Sequence, residues 1–223
     1  SVEDQDNKKP SEKGHTEISP ENVVDPKRAK IELPEYQELM RWDSEHGYMS
    51  REDSQVYQSY SEQTLKDLSN AGDVKAMMAL GLYYIEKDNR PDDSNAQFHK
   101  AAVYGATVAL TYLASQAQID MIATEADKTP EGREQGVTEI MAYYKVAAMR
   151  GDQGQSVANI NAYTTVYKVR YGQELSLDKE QLDEIDRKAK AIYDDLQKQR
   201  HDLGLGDFDN STPEVLKKRF SSK

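Results

Sequence analysis

The sequence predicts an all-α fold: antiparallel helix pairs stacked as a solenoid of about nine helices. Three observations predict it. Between Ala76 and Leu113, the sets Ala76, Leu80, Gly81, Tyr84 and Phe98, Ala101, Ala102, Gly105 each recur at spacings that fall on one face of a 3.6-residue helix. The stretch also repeats: LSNAGDVKAMMAL, AAVYGATVALTYL and AAMRGD align on Gly72, Gly105 and Gly151, 33 and 46 residues apart, a period typical of stacked helix pairs. No run of the chain alternates apolar and polar residues as a half-buried strand does.

The elements follow in order. Residues 1–33 predict a disordered tether, because in Ser1–Lys30 Pro10, Pro20 and Pro26 stand among many charges and only Val2, Ile18, Val23, Val24 and Ala29 are aliphatic, too little to offset ordering entropy. A helical repeat domain is expected over 34–204, divided into a cap (34–63), repeats (64–171) and a capping helix (177–203). In the cap, PEYQELMRWDSEHG places Tyr36, Leu39, Met40 and Trp42 in a short helix closed by Gly47. Ser50 with Asp53 forms a capping box for the next helix. The cap is expected to cover the open end of the array, with Trp42 buried against the first repeat.

Within the repeats, alanine and glycine tile the helix faces, which predicts close backbone approach rather than a ligand cavity. Pro91 in the charged stretch Glu86–Asp93 ends one helix and starts another. The longer second interval is assigned to an inserted loop, Ala123–Gly136, containing a proline and two glycines. A helix over Ala158–Tyr171 carries Tyr163, Tyr167 and Tyr171 on one stripe, either a recognition surface or core. The last long helix places Leu182, Ile185, Ala189, Ile192 and Leu196 on its inner face, with Gly204 as its cap. The tail, 205–223, is expected to be partly ordered, with a helix start at Thr212-Pro213-Glu214.

Composition excludes several function classes. With 31% charged residues and a net charge of −11, a nucleic-acid backbone is not an expected partner. The absence of cysteine removes thiolate metal sites and thiol nucleophiles. His15, His46, His99 and His201 lie in separate segments without metal-ligand spacing, and each is expected at the solvated surface. Neither a G-x-S-x-G elbow nor a P-loop is present, so no catalytic residue, cofactor or metal is expected. No 18-residue apolar run is long enough to span a bilayer. The start at Ser1 fits an exported protein whose signal peptide has been removed, tethered near a membrane, or equally a chain trimmed for expression.

The pattern Ala76, Leu80, Gly81, Tyr84, Phe98, Ala101, Ala102, Gly105, Ala109 resembles the SEL-one-like repeat, a relative of the tetratricopeptide repeat. YYKVAAMRGD is similar to the second half of another unit and adds Tyr144, Ala147, Ala148 and Gly151 as repeat positions. The resemblance covers roughly residues 65–158; EKDNRPDD replaces the usual loop between a unit's helices. It implies a right-handed α-solenoid, a protein-binding role and no chemistry of its own. Some bacterial envelope proteins of this kind are immunity partners that block a lipase effector of type VI secretion, and this chain looks similar to them in size and acidity. The competing expectation is a structural or regulatory adaptor in an envelope or signalling assembly. Because the family pattern assigns Tyr84 and Phe98 to the core, Tyr83, Tyr104, Tyr112 and Tyr143 are the candidate contacts on a concave wall. The implied partner is a protein with a basic patch, bound by a periplasmic or envelope-associated chain that is monomeric alone.

Overall fold

Free N–H groups at a helix start need acceptors, and this chain places short polar side chains where its helices begin. The computed structural model describes residues 33–221, with side chains to Lys218. Among the described residues there are ten α-helices and no strand. They are α1 (Leu33–Glu45), α2 (Arg51–Gln58), α3 (Glu62–Asn70), α4 (Val74–Glu86), α5 (Pro91–Tyr104), α6 (Thr107–Ala123), α7 (Pro130–Met149), α8 (Gln153–Tyr171), α9 (Lys179–Asp202) and α10 (Glu214–Ser221). Ser50 caps α2 in the expected box with Asp53; Asp73, Asp152 and Asp178 cap α4, α8 and α9.

The helices pack in pairs. α4 lies against α5 and α6 against α7, while the contacts α3 to α4, α5 to α6 and α7 to α8 join one pair to the next. Each join is made at a glycine: Gly72, Gly105 and Gly151 all adopt positive φ, which turns the chain sharply from the second helix of one pair into the first of the next. Of the repeat positions, Ala76, Leu80, Gly81, Tyr84, Phe98, Ala101, Ala102, Gly105, Ala109, Tyr144 and Ala147 are buried, and Ala148 and Gly151 are half-buried. Gly81 marks a tight crossing: a Cβ there would stand 2.6 Å from the Phe98 ring, and Ser94 Oγ donates to Gly81 O at 2.7 Å beside it.

Several expectations are corrected. The inserted loop is mostly helix, since Pro130 opens α7 at its first position and Gly132 and Gly136 lie inside that helix. The 46-residue interval arises mainly from longer helices, 17 and 20 residues in α6 and α7 against 13 and 14 in α4 and α5. α8 begins at Gln153 rather than Ala158, because Asp152 supplies an N-cap that draws QGQSV into the helix. Tyr163 and Tyr167 are core, and Tyr171 packs beside them.

Within the expected cap, α2 packs on α4, with Tyr57 and Tyr60 against the cluster of Leu65, Ala76, Leu80 and Tyr84, while α1 and its following turn lie elsewhere. The turn after α1 runs along the joins between pairs: Gly47 sits against Ala106 and Met78, and His46 reaches Arg150. Trp42 is buried, but under the C-terminal tail rather than the first repeat; its indole N–H donates to Ser211 O at 3.0 Å. His46 is 3% exposed, not at the surface, because it stacks on Trp42 at 3.9 Å and is closed over by the end of α7. α9 packs along α7 and α5 with Ile185, Ala189 and Leu196 buried, leaving Leu182 exposed. Beyond Gly204 the tail docks through the buried Phe208. Apart from Leu33, the tether expected over residues 1–33 lies outside the described residues, as does His15.

Candidate protein-binding sites

Four tyrosines were the sequence's candidate contacts, and all four are half-buried. Tyr83 is on α4 and borders a small apolar pocket of about 60 Å³, lined by Met49, Tyr57, Leu65, Ala79 and Leu82 with Glu86 and Lys87 at the mouth. Val56 and Ile85 stand close to it in sequence and are exposed at 48% and 47%. Tyr104 packs under the first join, 3.2 Å from where a Cβ on Gly72 would stand. Tyr112 stacks on Phe98 with centroids 4.4 Å apart, and burial together with the nearby Glu86 carboxylate raises its phenol pKa. Tyr143 lines a separate cavity of about 260 Å³ with His99, Leu113 and Ile192 beside α9, and burial raises its phenol too.

These placements divide the set. The Tyr83 and Tyr143 cavities share no lining residue, while Tyr104, Tyr112 and Tyr143 pack against one core cluster. Tyr104 and Tyr112 spend their aromatic faces on packing within the array. Tyr83 and Tyr143 each line a cavity that includes a carboxylate, Glu86 in the first and Asp195 in the second. The acidic stretch 86–93 stays near Tyr83, although Arg90 is bound to Glu62 and Asp93.

A second cavity, about 230 Å³, lies between Trp42, Tyr48, Gly151–Gln155, Thr212 and Leu216. Its polar groups are already paired. Asp152 takes the Tyr48 hydroxyl at 2.8 Å, the Thr107 hydroxyl at 2.5 Å and the Gln155 N–H at 3.2 Å. Desolvation and the Asp152 charge raise the Tyr48 phenol well above its ordinary range, so it stays a donor at neutral pH. The same device appears at the first join, where the Tyr57 hydroxyl donates to Asp73 at 2.7 Å. An aspartate following a turn glycine, clamped by a tyrosine from the N-terminal segment, is therefore a structural element of the first and third joins; the second has Ala106 in that place. The repeated Gly-Asp pair was its visible signal in the sequence; the tyrosines gave none.

A third region, about 500 Å³ of open groove between α7 and α9, is lined by Glu131, Glu134, Glu139 and Glu184 with Lys188. Among the described residues, no group of three or more histidine or acidic side chains is arranged to hold a metal ion, and no helix is long and apolar enough to cross a membrane. Arg150, buried and pushed down to about 10 by desolvation and the neighbouring Arg200, remains charged at neutral pH and is committed to Asp209 O, Asn210 Oδ1 and Gly105 O. No protein-family model, curated protein or solved structure matches the chain. What the arrangement offers is an apolar anchor pocket with Glu86 and Lys87 at its rim on a helical frame.

Proposed function

We propose that this chain is a non-catalytic protein-binding scaffold, a right-handed SEL-one-like array of the bacterial envelope that captures a partner with a basic patch. The observation that carries this reading is the Tyr83 pocket, where Tyr57, Leu65 and Leu82 offer a dry seat for one branched or aromatic side chain and Glu86 a rim charge for a cation beside it. Within that class, the specific function is inhibition of a lipase effector of the type VI system by an immunity partner. The net charge of −11 supports rapid association with a basic surface, with the on-rate falling as salt rises.

The test is lipid hydrolysis by a phospholipase encoded beside this protein's own gene, with and without the chain. Inhibition is expected, and Tyr83→Ala is expected to weaken it about tenfold or more while α-helical content is retained. Glu86→Lys checks the same site from an exposed lining position, where truncation of the core is not involved. Undiminished inhibition by both variants would remove the pocket from the interface, and failure of the parent to inhibit would remove the immunity reading.

A further inference from the structure

Helices α4 and α6 each have a closely packed second helix, α5 and α7. α8 is the first helix of a third pair, and among the described residues it has no second helix, because the chain after Gly172 returns along α7 as α9. Its outer face is left to solvent: Val157, Ala158, Asn161, Ala162, Thr165, Val166 and Val169 are all exposed, Val169 at 81%. No aspartate or glutamate occurs anywhere between Gln153 and Tyr171, in a chain whose net charge is −11.

We propose that this face binds the same face of a second copy, the two α8 helices lying antiparallel across a twofold axis. The row Val157, Asn161, Thr165, Val169, spaced by four, reads valine, polar, polar, valine from either end. Laid antiparallel on itself, it sets valine against valine at both ends and the Asn161 amide against the Thr165 hydroxyl twice in the middle. That is the self-complementarity a twofold interface requires, since each contact must occur in both directions. The adjoining row, Ala158, Ala162, Val166, is low enough to receive a ridge of this kind, as in packing between rows of four-residue spacing.

Charge selects the second copy as occupant. Two molecules at −11 repel wherever their carboxylates face one another, and this face carries none. The cations at its end are held within the chain, Lys168 by Glu174 and Arg170 by Asp127. Antiparallel helices also set opposite dipole ends side by side. A 19-residue helix is roughly 28 Å long, and its face is smaller than the roughly 800 Å² per partner of a standard interface. The dimer is therefore weak and concentration-dependent.

Sedimentation equilibrium of the whole chain from about 10 µM to 1 mM, at low and at high salt, tests this. The expected mass rises from 25.3 kDa toward twice that value, and rises further at high salt as the repulsion is screened, opposite to the salt response of the Tyr83 site. Val169→Glu, at an exposed position, is expected to weaken association about tenfold with an unchanged circular dichroism spectrum, whereas Val56→Glu leaves it intact. The chain has no cysteine, so Ala162→Cys reports directly: mild oxidation should give a disulfide-linked dimer, and Val56→Cys should not at the same concentration. A parent that stays at 25.3 kDa throughout, including one that instead takes up a different protein on α8, overturns the proposal. Dimers that form equally with Val169→Glu overturn it as well.

Discussion

His46 faces two carbonyl oxygens and, when neutral, has one proton to give them. Its Nδ1 lies 2.8 Å from Trp42 O and its Nε2 3.4 Å from Arg150 O. Burial lowers its pKa most, the two carbonyls pull it back up, Arg150 pushes it down and Asp152 up; the net result lies below the ordinary 6.5. A histidine with a depressed folded pKa stabilises the fold fully above its unfolded pKa, and that contribution is lost as pH falls through the folded value. Stability should therefore decline below about pH 6.5, before the carboxylates begin to lose theirs. Asp127, held down by hydrogen bonds from Arg170 and Tyr171, and Asp53, held down by Lys75, act at lower pH because their pKa values lie below the ordinary carboxylate range. Urea melts at several pH values check this: His46→Gln should flatten the dependence just below about pH 6.5, and an equal slope in both proteins would refute the assignment. Nothing local in DSEHGYM marks His46 as buried, because what covers it comes from Arg150, 104 positions away.

At the scale of the helix pair, small residues were the legible signal. Gly81 and Ala102 are buried as their spacing required, and the ring of Phe98 occupies the space beside Gly81. Gly81→Leu should destabilise the protein by about 1–3 kcal/mol through overpacking, and even Gly81→Ala must displace the ring. Thermal melts of the two variants and of Ala102→Leu provide the check; melting with the parent would place the crossing elsewhere. Helix length was less legible. TPEGREQG has loop composition, yet the Thr129 hydroxyl accepts from the Gly132 N–H and Pro130 stands where its missing N–H costs nothing, so the segment extends α7. Its charges read as loop but serve as the helix's exposed face, a distinction that composition does not carry.

At the scale of the whole molecule, the two ends of the described chain meet. Phe208 is held between the guanidinium groups of Arg150 and Arg200, at 3.9 and 4.4 Å, and Thr212 Oγ1 donates to Gly151 O at 2.7 Å. Trp42 from the first helix closes the same region onto Ser211, a contact between residues 169 positions apart. Contacts of this range leave no periodic trace, which is why the terminal segments were expected to cover the ends. Repeat arrays whose units touch only their neighbours can lose structure unit by unit. A clasp joining α1, the last Gly-Asp join and the tail couples these parts, so the parent should unfold in one transition. Removing Arg150 leaves Asp209 O, Asn210 Oδ1 and Gly105 O without their donor, at a cost of about 2–4 kcal/mol. Trp42 is the only tryptophan, so its fluorescence reports the clasp while far-ultraviolet circular dichroism reports all helices. The two curves should coincide for the parent, and in Arg150→Ala the fluorescence transition should move to lower denaturant ahead of the dichroism. Coincident curves at the parent's midpoint in that variant would mean that the array holds together without the clasp.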